Sequence, residues 1–599
     1  MNVINRIVES PSTCPPPNTT DLWICDGELK VYIPRLGGWV KVTGGDSASK
    51  VVKQNYFLAG PTEGSGEAEY RAITMDDLPS EAKLSLMDLM SYGIHWKKNV
   101  ADPQVTRVGN LSLHKSLPIQ SEIKGCIAQL KGGKHIIKYY LDAQDWRWRE
   151  AQNARSHVLK SQTLVVTEGV YTMTNNVFGT LQYEKQWVKI NDVACQVTSI
   201  DTATKTATLV PESPLSATNY DVQLGAVLNG YDGEVMVEVM DFYIRSWDEG
   251  LDSEVRISTF PIDSSWQHQP KTLVAFTHDT LLRSVPENMG YLSTLETGAA
   301  ISVVNTHDYC RGGGNRSGYD QYLDTEPCRS DLGKPCSGMS RSAFRTAARK
   351  SGKENLCYKE YKNILYWLYV IEYANFNSQA TYIPELTSEG YHQGGLGPGV
   401  TTIGGYWPHY NGYYAITPMG YTNDLGNNTG VKDMTIFTPA SSGAEPSVHI
   451  TFGVPRWRGI ENPFGDIWHN LDGVLINSAA FTEDSYLYNE VYATDDPDLY
   501  NDSDYSQMTL VGIEICQNGY IKEWNIGTTA ELIPGLNGGS PTTYKCDYHY
   551  TSQSTGLRTL VLGGSAIYGS LAGLGCFDSS SGGVGYSAAH FGFRSSCKF

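Results

Sequence analysis

Charge is scarce in this chain. Only 18% of its 599 residues are Asp, Glu, Lys or Arg, below the roughly 25% of an average globular protein. Basic residues are the scarcer kind, 46 against 64 acidic ones, for a formal net charge of -18. That balance argues against a nucleic-acid partner, because phosphate binding needs clustered Lys and Arg. Long apolar runs are missing too. The longest, Ile364 to Tyr373, is broken by Glu372 and falls far short of the ~20 residues that span a bilayer, so no membrane insertion is expected. The first residues, MNVINRIVESPSTCPPPN, contain no apolar h-region, which predicts no secretory signal. The 12 cysteines are dispersed singly, with no CxxC pair; a zinc site is not expected, and a reduced, cytosolically made chain is.

Catalytic signatures are absent as well. None of the 13 histidines lies in HExxH, and neither a GxSxG elbow nor a P-loop occurs. Gly395-Leu-Gly397-Pro-Gly399 has no preceding strand and following helix in the frame a phosphate cradle needs. Five acids, Asp495, Asp496, Asp498, Asp502 and Asp504, crowd one loop, and oxygen-rich loops can hold Ca²⁺. Their spacing lacks the Gly and closing Glu of an EF-hand, so a solvated loop is expected. Glu385, Glu389 and Asp424 lie near aromatic loops, but glycoside-cleaving acids are defined by a separation in space, not by sequence position. No catalytic residue, metal or cofactor is therefore assigned.

What is abundant is Gly (60), Tyr (38) and Trp (13), a composition that favours turn-rich β-structure with wide aromatic surfaces. The length suggests about four domains. Residues 1–45 read as a small β segment. Asp26-Gly27 turns a hairpin within Asp21–Ile33 and LGGWVKV adds a third strand around Trp39, a piece too small for its own core. Residues 46–85 read as a linker and 86–270 as a central β domain. In that domain Val235, Val237 and Val239 alternate with Glu234, Met236 and Glu238, which predicts a half-buried strand. An inserted β-module is read over 161–229, with the parent strand resuming after Asp232-Gly233. The remainder, 271–599, opens with two helices. Ser342–Gly352 has a Ser start, a basic last turn and a Gly stop; Tyr358–Asn375 is apolar on nearly every side and reads as buried.

Three spaced motifs in that last segment resemble the C-type-lectin-like and formylglycine-generating-enzyme superfamily. They are Gly563-Gly564-Ser565, the closing Gly592-Phe593-Arg594, and Gly465-Asp-Ile-Trp-His-Asn-Leu-Asp-Gly473, which is similar to the superfamily's "GNVWEW..DG" core. The resemblance implies an α+β C-terminal domain that presents variable loops on a fixed scaffold. Its oxidase branch would need copper-binding cysteines three and eight residues after the motif Ser; here those positions are Tyr568 and Gly573, and neither supplies the thiolate a soft metal demands. Separately, Tyr70-Arg-Ala-Ile-Thr-Met-Asp-Asp-Leu-Pro79 resembles a short element of bacteriophage fibre proteins. Gly109–Pro118 and Asp232–Val239 resemble stretches in fibre and adhesin proteins of gut Bacteroides and their phages, the crAss-like type included.

Together these resemblances imply a virion fibre, of tail or head, assembled in the host cytoplasm. It would be a homotrimer docked on other virion proteins through 1–45, and its distal end would bind host-surface polysaccharide or protein. A fibre-borne depolymerase or a bacterial surface adhesin is the alternative. Sugar rings stack their C–H faces on Tyr and Trp, which singles out Tyr406, Trp407, His409, Tyr410 and Tyr413 in the loop Gly404–Tyr414, unless those rings fill a core or a subunit interface. Tyr568, Phe577, Asp578, Tyr586 and His590 lie where the resembling fold varies its ligand loops.

Overall fold

The computed structural model describes residues 86–599 except 99, 102–104, 152–157, 175–185, 202, 286–289, 305–309, 312–332, 409–411, 438–448, 582 and 584; before residue 86 it describes only the backbone of six strands. The described residues are mainly β with few helices, and no helix among them is long and apolar enough to cross a membrane.

Leu22–Cys25 pairs antiparallel with Glu28–Ile33, Cys25 opposite Glu28, and Gly38–Lys41 adds the third strand. Ile7–Glu9 joins as a fourth, parallel to Leu22–Cys25. Asp26 and Gly27 themselves lie outside the described residues. The stretch read as a linker contains a strand pair, Tyr56–Ala59 with Glu69–Ala72, which takes Tyr70 into register with Leu58.

A six-stranded sheet organises the body. Its order is Lys134–Tyr140, Lys124–Lys131, Glu234–Val239, Thr272–Ala275, Ser595–Lys598 and Glu354–Asn355. It draws on both sides of the 270/271 division read from the sequence, and Glu234–Val239 pairs directly with Thr272–Ala275. The largest buried cluster likewise runs from Tyr92 and Trp146 through Phe276, Trp367 and Trp457 to Phe577. Glu234–Val239 is buried on both faces rather than one. The alternation failed as a guide because this strand is central and its carboxylates are neutralised inside: Glu234 by Lys353 and Tyr291, Glu238 by Lys271 and the Tyr140 hydroxyl. Buried charge is tolerated only when paired in this way.

Overlapping the 161–229 span read as an inserted module, and starting three residues before it, six strands close a barrel: Val158–Thr167, Val170–Thr174, Thr206–Pro211, Val193–Asp201, Trp187–Ile190 and Thr218–Leu224. Its core is its own, built from Leu164, Met173, Val188, Val197, Leu209 and Val222 among others. A second sheet, Gln267–Gln269, Phe242–Glu249, Asp252–Ser258, Ser91–Lys97 and Thr106–Gly109, lies outside the barrel.

Both expected helices form. The first is Arg341–Lys350, capped by the Ser340 hydroxyl, which accepts from the Ala343 amide, so its start lies one residue before Ser342. Gly352 stops it at φ +71°, and a Cβ there would sit 2.7 Å from Leu130. The second is continuous through Tyr358–Glu360, a π-helical Tyr361–Trp367, and Leu368–Tyr373, ending at Ala374 with φ +49°. All its residues but Lys359 are buried. Glu372 belongs inside because Arg458 clamps it at 2.7 Å and Trp457 donates to it.

Candidate functional site

The three motifs, more than a hundred residues apart at the extremes, fold as adjacent strands of one seven-stranded sheet. Val561–Leu562, leading into Gly563, pairs antiparallel with Trp468–Asn470, His469 opposite Leu562. Trp468–Asn470 in turn pairs parallel with Phe591–Gly592, Trp468 opposite Phe591. Internal polar clamps fix this trio. Fully buried Arg594 donates to the carbonyls of Ala275 (2.6 Å) and Glu461 (3.0 Å), and Asp472 receives both arms of Arg345 at 2.6 and 2.7 Å. His469 lies in an aromatic pocket against His278, ring centres 4.1 Å apart, and burial holds both imidazoles well below their usual range, hence neutral. Asp466, whose carboxylate accepts from the Ile416 amide at 3.4 Å, is pushed up to about 7 by burial.

On this scaffold two rows of rings meet. One runs Tyr520, Tyr548, Tyr550, Tyr568, Trp468 with centre-to-centre steps of 5.1, 4.5, 5.2 and 5.2 Å. The other runs Trp407, Tyr413, His590, Phe591, Tyr586 with steps of 5.5, 6.4, 4.8 and 5.4 Å. They join because Trp468 and Phe591 are register partners and share one buried cluster. Trp468 and Phe591 form the floor. Tyr520, Tyr548, Tyr550, Tyr568 and His590 are half-buried above it, while Tyr413 and Tyr586 are 36% and 44% exposed. Burial lowers His590 to about 4, so it is a neutral imidazole at pH 7. Tyr413 also holds a left-handed φ of +71°, a conformation that costs a non-glycine residue energy and concentrates at working sites.

The candidate residues separate accordingly. Tyr413, Tyr568, Tyr586 and His590 belong to the rows; Tyr406, 46% exposed, lies in the same loop as Tyr413. Trp407 is fully buried, with its indole N–H on the Tyr414 carbonyl at 2.7 Å. It fills the core, as the packing alternative for that loop allowed. Phe577 is likewise core. Asp578 is 3% exposed and its oxygens accept four bonds from the amides and hydroxyls of Ser580 and Ser581, so it caps a turn. His409 and Tyr410 lie outside the described residues. Tyr520, Tyr548 and Tyr550 were overlooked by sequence reasoning, although Tyr548-His-Tyr550 carries the signal: at period two both tyrosines share a face. His549, between them, points the other way into a buried pair with Glu514 at 2.8 Å. Ser579 also reaches Glu514, but at 0% exposure it meets no substrate.

The oxidase positions are closed by packing as well as by residue type. Tyr568 packs edge-to-face against Trp468, and a Cβ at Gly573 would lie 1.8 Å from Asp547 Oδ1. The acidic loop is not simply solvated: Asp495 pairs with Lys359 and Asp502 with Arg341 and Arg345, while Asp496 and Asp504 cap local amides. Asp424 is spent on Lys432 at 2.8 Å. The eight cysteines with described side chains are free and buried. No family model and no curated protein matches the sequence.

Proposed function

We propose that this protein is a virion fibre of a tailed bacteriophage, on the tail or the capsid, and that its C-terminal half attaches the particle to host-surface glycan. The observation that supports it most is the joined pair of aromatic rows, laid on a sheet whose last three strands, at one edge, carry the motifs that resemble the lectin-like superfamily. Such a surface offers flat C–H-stacking faces with tyrosine hydroxyls at their rims, the chemistry that holds sugar rings in water. Each contact is weak, and a trimeric fibre present in many copies converts weak contacts into firm attachment by effective concentration. Residues 1–45, too small to bury a core alone, would dock on other virion proteins.

The test is binding of the purified full-length protein to host cells and to their extracted surface polysaccharide. Tyr548→Ala together with Tyr550→Ala is expected to weaken binding by about tenfold or more, each tenfold being 1.4 kcal/mol, with the folded state retained because both rings are only half-buried. Unchanged binding by that variant removes the rows from the attachment surface. Absence of the protein from purified virions removes the fibre.

A further inference from the structure

A cleft of about 600 Å³ opens on the sheet that contains Phe242–Glu249 and Asp252–Ser258, not on the seven-stranded sheet of the aromatic rows. We propose that it is a second saccharide site, taking a short neutral oligosaccharide. Its volume lies within the range of small-molecule pockets, and its wall is a half-buried indole, Trp247, among fixed polar groups.

The register explains the arrangement. Arg245 faces Arg256 across the ribbon and Trp247 faces Glu254, so all four share one side of the sheet. Both guanidiniums therefore approach the indole from the side of residue 245, at 5.3 and 5.4 Å from its centre. Toward the Glu249 end of the hairpin no ring or cation stacks on the indole among the described residues, which leaves a surface for a sugar's C–H face.

Hydroxyls both donate and accept, and the cleft offers both kinds of partner in place. Arg256 is anchored by Asp88 at 2.8 Å and Arg245 by Asp263 at 3.3 Å, each keeping further N–H groups for a ligand. Asp248 is held by Lys98 at 2.9 Å, while Glu249 is exposed. Groups locked by pairing lose little freedom on binding, which favours affinity. Charge decides the class. Even with Asp248 offset by Lys98, three carboxylates (Asp88, Glu249, Asp263) outnumber the two guanidiniums in the lining, which disfavours uronic acids, sialic acids and phosphates. The guanidiniums and the spent carboxylates in turn disfavour a basic peptide. Met87 and the indole alone are too little apolar wall for a lipid.

The experiment uses the full-length protein on a printed array of neutral, amino-bearing and acidic oligosaccharides of two to six rings, read beside Trp247→Ala, Trp247→Phe and the Tyr548→Ala/Tyr550→Ala variant. Expected is binding to a set of neutral oligosaccharides that falls at least tenfold in Trp247→Ala, stays within about threefold in Trp247→Phe, and persists in the tyrosine variant. Loss of that set in the tyrosine variant alone, binding confined to acidic glycans, binding that Trp247→Ala leaves intact, or no binding to any neutral oligosaccharide each overturns the proposal. Because the two sites carry separate variants, failure here leaves the reading of the aromatic rows standing.

Discussion

The barrel and the body around it reach closure by opposite routes. Every strand of the barrel lies between Val158 and Leu224, and its core cluster holds no residue from elsewhere. The body's six-stranded sheet instead takes Lys124–Lys131 near one end of the chain and Ser595–Lys598 at the other. Their interiors differ in kind too. Among the described residues the barrel buries no charged side chain and only Gln162 and Gln186 as polar ones, whereas the body buries Lys353 between Glu234 and Asp279, Arg594 among carbonyls, and the His278–His469 pair. A closed barrel has no edges to protect. A sheet assembled from distant segments needs its register specified, and directional polar clamps supply that where apolar burial, being non-directional, cannot.

The largest effect follows from the last strand. Ser595–Lys598 lies between Thr272–Ala275 and Glu354–Asn355 and supplies the Ser595 hydroxyl and amide to buried Asp279. Deleting residues 595–599 strips the ladder from two neighbours and takes the Ser595 donors from Asp279 and the Ser596 hydroxyl from Glu360. The loss should exceed the roughly 5–15 kcal/mol that holds a domain folded, giving a body without near-ultraviolet circular dichroism or cooperative unfolding. A truncated chain that still unfolds cooperatively at the same urea concentration would show that the composite sheet, like the barrel, closes without the chain's last strand.

A smaller effect separates the interiors by pH. Asp466 has a folded-state value of about 7, raised by burial, against roughly 3.9 in an unfolded chain. The folded state thus keeps a proton that the unfolded chain releases, so Asp466's contribution is fully present below about pH 4 and is lost as pH rises through 7. Relative to wild type, Asp466→Asn should gain stability steadily from pH 4.5 to 7.5, by at most about 1.4 kcal/mol for each pKa unit removed. Urea unfolding of both proteins across that range measures it. A difference independent of pH contradicts the neutral, buried Asp466.

Local features were legible in the sequence and long-range ones were not. The Ser-to-Gly helix and the buried Tyr358–Tyr373 helix were legible because caps and apolar density act within a few residues. The Val158–Leu224 barrel overlaps the 161–229 stretch read as an inserted module, a reading that rested on the Asp232-Gly233 turn after it. The pairing across 270/271 was invisible, since nothing in Glu234–Val239 names Thr272–Ala275 as its neighbour. The same blindness placed Trp407, Phe577 and Asp578 on a surface they do not reach, because loop position was legible and side-chain direction was not. It also hid Tyr548 and Tyr550, which alternate over only three residues, too short a run for periodicity to stand out.

The smallest effect is expected from removing the barrel altogether. Its first and last strands pair, Val158 opposite Gln223, so its two ends lie beside each other and a short Gly/Ser link can replace residues 158–224 without moving the body. The body loses Arg147's stack on Trp187 and ion pair with Glu212, and Lys189's cover of Trp148. Exposing Trp148 dominates, at about 2–3 kcal/mol for a large buried side chain, while an exposed ion pair adds under about 1 kcal/mol. The excised protein should therefore keep one cooperative transition at slightly lower urea and bind glycan as before. Collapse of the body on excision would mean that the barrel, despite its private core, is a strut the composite sheet depends on.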